Sequence, residues 1–197
     1  MTLVERLGAA RVMAILRMDD VETKGVEVAL RLHRAGVRAI ECTLDRPGAL
    51  AAIQHLRAEI GSDTLVGAGT VTATSQVDDL ASIGVDFCVT PHLDLAVVTQ
   101  ALDKGIPIIP GVMTPTDLAA AFRHGVPAVK LFPAGVLGPG YLEALQGPYG
   151  QFPVVPTGSI DIGDVGMWLD AGATCVGLGS ALTRGDVPAG LGEALGL

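Results

Sequence analysis

The chain has 197 residues, 49% of them apolar, and a formal net charge of -8 at pH 7. That length and apolar share are enough for one sizeable core and predict a single domain spanning residues 1–197. The acidic balance argues against general affinity for nucleic acid or anionic membrane, so any anionic ligand has to be caught by local groups. Apolar stretches are broken by a charge, Gly or Pro before membrane-spanning length, and Glu5 and Arg6 interrupt any signal-peptide pattern, so a cytoplasmic protein is expected.

In chain order, Thr2 to Ala10 predicts a leading helix. Eight short β-rich runs follow: Val12 to Leu16, Ala39 to Thr43, Leu65 to Thr70, Phe87 to Thr90, Pro107 to Pro110, Ala128 to Phe132, Val154 to Thr157 and Cys175 to Leu178. Between them lie amphipathic stretches such as Val21 to Ala35 and Thr116 to His124, which predict helices. Glycines at 36, 61, 84, 105, 125, 150 and 172, spaced 20 to 25 residues apart, stand where helical segments should stop.

Strands alternating with helices in this number predict an α/β fold, a (β/α)8 TIM barrel with the leading helix covering its bottom. A doubly wound open sheet is the alternative. It lacks its Gly-x-Gly-x-x-Gly turn, since the first strand runs into Leu16-Arg17-Met18-Asp19.

Chemistry-bearing residues gather at the C-terminal ends of the predicted strands, where a barrel enzyme keeps its site. They are Arg17, Glu41, Thr43, Thr70, Thr90 with Pro91, Lys130, Thr157 and Ser180. Lys130 stands out because it lies within the apolar run Ala128-Val129-Lys130-Leu131-Phe132-Pro133. An amine kept out of water loses preference for its charged form, and a neutral amine can attack a ketone to make a Schiff base. Strands two and six feed the same interior level from opposite walls, so Glu41 and Lys130 should converge, with Phe132 on the face of Lys130. A buried ion network of Lys130, Glu41 and Arg17 is the structural alternative, and the threonine hydroxyls could be ordinary strand-end hydrogen bonders.

Pro156-Thr157-Gly158-Ser159 and Gly177-Leu178-Gly179-Ser180 end strands seven and eight, the loops with which barrels often hold phosphate; tight-turn and helix-cap chemistry is the alternative. Cys42, Cys88 and Cys175 lie far apart in apolar runs and read as buried small hydrophobes. His33, His55 and His124 fall on helical stretches and should lie at the surface, while His92 follows Pro91 without a partner at metal-ligand spacing; no metal site is expected.

Taken together, the residues resemble the 2-keto-3-deoxy-6-phosphogluconate (KDPG) and 4-hydroxy-2-oxoglutarate (KHG) aldolases over nearly the whole chain. The motifs are Ala14-Ile15-Leu16-Arg17, Ile40-Glu41-Cys42-Thr43-Leu44, Val66-Gly67-Ala68-Gly69-Thr70-Val71, Val89-Thr90-Pro91, Ile109-Pro110-Gly111, Val129-Lys130-Leu131-Phe132-Pro133-Ala134, Pro156-Thr157-Gly158 and Gly177-Leu178-Gly179-Ser180. The resemblance implies a class I aldolase acting on a phosphorylated 2-oxo acid, with Lys130 as Schiff-base lysine and Glu41 as general acid/base. It implies that Arg17, Thr70, Pro91, Phe132 and Thr157 contact substrate, that Gly158, Ser159, Gly179 and Ser180 hold phosphate, and that the enzyme is a homotrimer without metal or cofactor.

This chain departs from the family pattern at Asp45, which precedes Arg46 where many members place Arg, and at Ser159, where a second Gly is usual. Thr157 resembles gluco-type members, whereas Leu16-Arg17 and Val89-Thr90-Pro91-His92 resemble the galacto-type branch. The leading expectation is cleavage of KDPG to pyruvate and D-glyceraldehyde 3-phosphate, possible action on KHG included. The alternatives are a galacto-type aldolase, an oxaloacetate decarboxylase using the same imine, or a barrel of another class, such as an epimerase or a non-catalytic phosphate binder.

Overall fold

The computed structural model describes residues 1–197 and forms an α/β fold around a curled parallel sheet. The leading helix α1 (Leu3–Ala10) is closed by a reciprocal cap: the Thr2 hydroxyl accepts from the Glu5 N–H at 3.3 Å, and the Glu5 carboxylate accepts from the Thr2 N–H at 2.7 Å. Strand β1 (Val12–Leu16) follows, then a π-helical turn (Val21–Gly25) running into α2 (Val26–Arg34), β2 (Ala39–Thr43), α3 (Ala49–Glu59) and β3 (Leu65–Gly69). Next come α4 (Thr74–Ile83), β4 (Cys88–Val89), α5 (Leu95–Asp103), β5 (Ile108–Ile109), β6 (Gly111–Val112) and α6 (Pro115–Arg123). The chain continues through β7 (Val129–Leu131), α7 (Ala134–Leu137), α8 (Pro139–Tyr149), β8 (Val154–Pro156), a 3-10 turn (Ile162–Asp164), α9 (Val165–Asp170), β9 (Val176–Leu178), α10 (Ser180–Thr183) and α11 (Leu191–Leu195). None of these helices is long and apolar enough to cross a membrane.

Strand order is β5-β4-β3-β2-β1-β9 in one parallel sheet and β6-β7-β8 in another. The fifth predicted run therefore differs from expectation: it continues through Pro110 as two short strands. Proline has no N–H to give to a ladder, so pairing is interrupted there, yet its carbonyl still accepts from the Lys130 N–H at 2.8 Å. The Thr90 hydroxyl takes over beside the break, accepting from the Gly111 N–H at 3.1 Å. Between β8 and β9, Thr157 and Gly177 form a parallel bridge and the Thr174 N–H donates to the Val154 carbonyl at 2.9 Å.

Side-chain alternation divides the apolar residues into two cores. The outer and larger one lies between sheet and helices and takes Ala14, Leu16, Ile40, Cys42, Cys88, Val129, Leu131, Val176 and Leu178. The inner one, on the concave side of the curled sheet, takes Met13, Ile15, Ala39, Leu65, Phe87, Val89, Ile109, Ala128, Val155 and Cys175, together with Leu7 and Ala10 of α1. That helix thus closes one end of the sheet, as its position in the sequence suggests.

Six of the seven stop glycines have positive φ; Gly61 does not, because the chain is already extended at Ile60, the residue that caps α3. All three cysteines are free and fully buried, and burial pushes the Cys42 and Cys88 thiols up to about 12 and Cys175 further still. His55 and His124 are exposed, but His33 is only half so: its Nδ1 sits 3.1 Å from the Thr64 hydroxyl, because α2 leans that edge onto the turn before β3.

Candidate active site

The alternation that builds the inner core also carries its two ionisable groups. Glu41 shares the face of Ala39 on β2, and Lys130 on β7 shares that of Ala128 just before the strand, each one step nearer the C-terminal end of the sheet than its apolar neighbour. Glu41 is completely buried and Lys130 is 5% exposed. Two glycines of β3 make the room. A Cβ on Gly67 would lie 2.6 Å from the Phe87 ring, and one on Gly69 would overlap the Glu41 carboxyl group. Phe87 therefore fills the space beside Gly67, and the carboxyl group fills the space beside Gly69.

Neither Glu41 oxygen has a hydrogen-bond partner within the protein, and no cation lies within ion-pair distance. Burial holds the carboxyl above its ordinary value; Lys130 and Arg17 pull against that, and Asp45 adds to it. A carboxyl that keeps its proton readily, beside an amine, is equipped for proton transfer. The Lys130 amine lies 5.3 Å from the centroid of the Phe132 ring, which forms an apolar wall beside it.

Above this pair opens a cavity of about 440 Å³, lined by Ile15, Arg17, Met18, Lys130, Phe132 and Thr157, and further out by Gly158, Gly179, Ser180, Thr183 and Arg184. Its size suits a small organic acid. Arg17 donates to the Thr70 hydroxyl at 2.8 Å and lies 3.7 Å from the Asp45 carboxylate, which also faces Arg46 at 3.9 Å. Thr70 is held at φ 54, a left-handed conformation that a β-branched residue resists; such strain gathers at functional sites. At φ +98, Gly158 turns the chain against the Phe132 ring, where a Cβ would approach to 2.9 Å. The buried Thr157 hydroxyl donates to the Val155 carbonyl at 3.3 Å, and Thr43 donates to the Leu16 carbonyl at 3.3 Å.

Seven of the residues singled out in the sequence thus meet in one cavity: Arg17, Lys130, Phe132, Thr157, Gly158, Gly179 and Ser180. Glu41 is fully buried and does not line this cavity, though Lys130 and Arg17 both act on it electrostatically, and Thr70 joins through Arg17. Pro91 lines an adjoining cavity of about 300 Å³, on the far side of the shared Phe132. Ser159 lines neither; it is exposed, and its carbonyl packs against Gly135 so closely that any Cβ there would collide. Ile15, Met18, Thr183 and Arg184 also line the cavity, and the sequence alone did not single them out as site residues. Alternation from Met13 would have found Ile15; Met18 and Arg184 sit in connections, and Thr183 ends the short α10, none of them placed by a local pattern. No group of three or more His, Cys, Asp or Glu side chains is placed to hold a metal ion.

A family model described as KDPG and KHG aldolase matches residues 3–189. The chain belongs to that family. This aldolase, a carbon–carbon lyase by family, is 36% identical over 165 residues to the 2-dehydro-3-deoxy-phosphogluconate aldolase of Treponema pallidum, covering 83% of this chain and 78% of that one. It is 35% identical over 151 residues to the 2-dehydro-3-deoxy-6-phosphogalactonate aldolase of Escherichia coli, covering 76% of this chain and 74% of the relative. Among solved structures, the KDPG aldolase of Legionella pneumophila, with pyruvate captured as a covalent carbinolamine intermediate, matches with a TM-score of 0.82 at 28% identity, covering 91% of this chain and 87% of that one. Family membership thus favours aldolase chemistry over the epimerase and non-catalytic alternatives.

Proposed function

We propose that this aldolase is a Schiff-base (class I) enzyme that cleaves KDPG to pyruvate and D-glyceraldehyde 3-phosphate. The observation that carries the reading is the Lys130 amine, sheltered within the sheet yet opening onto a cavity, above a buried carboxyl group with no partner of its own.

In this mechanism neutral Lys130 attacks the C2 ketone, and Glu41 moves the protons as the carbinolamine loses water. The resulting iminium accepts the electron pair of the C3–C4 bond. Glu41, directly or through water, takes the C4 hydroxyl proton as that bond breaks, releasing the aldehyde and leaving an enamine. Protonation at C3 and hydrolysis then return pyruvate and the free amine. Arg17, steadied by Thr70, faces the carboxylate, Phe132 and Pro91 shape the pyruvyl end, and Gly158, Gly179 and Ser180 receive the phosphate. Ser159 contributes backbone only.

Thr157, which lines the cavity, supports gluco stereochemistry, since gluco-type members resemble this chain at that position. The galacto-type reading is favoured by Leu16-Arg17, Val89-Thr90-Pro91-His92 and the similarity to the Escherichia coli galactonate enzyme. Parallel steady-state assays with the two C4 epimers decide between them.

The wider setting is part of the same proposal: one domain with the curled sheet closed as a (β/α)8 barrel, working as a cytoplasmic homotrimer without metal or cofactor. Hydrogen bonding on both sides of the β8–β9 junction supports closure. The test of the chemistry is incubation with pyruvate and borohydride followed by peptide mass spectrometry. A reduced adduct on Lys130, absent from Lys130→Met, is expected; an unmodified chain would sink the mechanism.

A further inference from the structure

The cavity is lined by three basic side chains, Arg17, Lys130 and Arg184, and by no carboxylate, in a protein of net charge -8. The three are not equivalent. Arg17 is already engaged by Asp45 and Thr70, and Lys130 lies at the floor. Arg184 is exposed, and its guanidinium makes no ion pair or hydrogen bond within the protein.

Its place is fixed by the chain around it. The Arg184 N–H donates to the Ser180 carbonyl at 3.3 Å, so the residue follows directly on the turn that begins at Ser180, along the wall shared with Gly179 and Thr183. Gly158, after β8, lies on the same cavity, and the bridge between Thr157 and Gly177 keeps the two strand ends together. A guanidinium with all its donors free, beside a hydroxyl and two glycine segments, suits a tetrahedral dianion, which it can grip by two parallel N–H donors.

We infer that Arg184 binds the terminal phosphate of the substrate and sets the preference of this enzyme for phosphorylated 2-oxo acids. The assignment rests on the aldolase reading above and adds to it a residue from outside the strand-end motifs. Pyruvate lacks the phosphate tail, so its capture by borohydride serves as an internal reference.

The experiment compares wild type, Arg184→Gln and Arg184→Lys in two measurements: kcat/KM for KDPG, and the rate of borohydride trapping with pyruvate. Loss of a charge-assisted contact predicts that Arg184→Gln lowers kcat/KM by about 10- to 100-fold, chiefly through KM, while pyruvate trapping changes by less than about threefold. Arg184→Lys, which keeps the charge without the fork, should fall between. Inorganic phosphate should compete with KDPG more weakly in Arg184→Gln than in wild type. Unchanged kcat/KM in Arg184→Gln, or an equal loss in both measurements, overturns the assignment. A wild-type chain that traps no pyruvate would instead overturn the aldolase chemistry itself, so the two failures are distinguishable.

Discussion

Glu41 concentrates the tension between folding and chemistry. Its carboxyl group is fully buried without a hydrogen-bond partner, and burial keeps it above its ordinary value of 4.5 despite the pull of Lys130 and Arg17. A carboxyl whose folded value is raised contributes stability that is complete below its unfolded value and is lost as pH rises through the folded one. Glu41→Gln, uncharged throughout, should therefore gain in melting temperature relative to wild type as pH rises above about 4.5, as thermal melts across a pH series would measure. A pH-independent difference would contradict this. The same variant should lose about 10²- to 10⁴-fold in kcat, the usual worth of a positioned acid/base. Lys130 and Glu41 were legible in the sequence because an ionic side chain inside a period-two apolar run has only the interior to point into. Arg184 was not, since a charged residue in a short connection looks the same whether it faces solvent or a ligand.

At the scale of elements, β3 shows how a strand gives up side chains to make a site. Gly67 and Gly69 both face inward, and each leaves room for a neighbouring group, Phe87 just before β4 and Glu41 on β2. Gly67→Ala should cost about 1–3 kcal/mol through overpacking against the Phe87 ring, measured by chemical denaturation, and Phe87→Leu should restore part of it. A neutral substitution would mean that the ring can move aside freely. The glycine stops and β-rich runs made most strands legible to within a residue or two. The division at Pro110 was not, because a proline marks the end of N–H donation without marking the end of the extended chain, and the Thr90 hydroxyl and the Pro110 carbonyl carry the pairing across. The π-helical turn ahead of α2 escaped for a similar reason, since Val21 to Ala35 has the same apolar spacing either way.

For the whole molecule, the inner core is apolar at the end covered by α1 and polar at the other, so the helix and the cavity occupy opposite ends of the space inside the curled sheet. Leu7 is fully buried in that space. Leu7→Ala should destabilise the fold by about 2–5 kcal/mol, the cost of a cavity in a close-packed core. For a chain of this size that corresponds to a loss of roughly 2–4 °C in melting temperature per kcal/mol. Pyruvate trapping at low temperature should persist, because the change lies at the far end from Lys130. If trapping were lost while the variant remained folded, the two ends would be coupled. The order of strands and helices made the α/β class and its curled parallel sheet readable from sequence, whereas which loops meet over the mouth depended on how the strand ends come together.

The three cysteines have a consequence for handling the protein. With each sulfur shut inside and its proton held more tightly than usual, the native state offers electrophiles and oxidants almost no thiolate to attack. Alkylation then proceeds only through opened molecules, and its rate becomes an intrinsic clock for how often the chain breathes, with no dye or engineered label required.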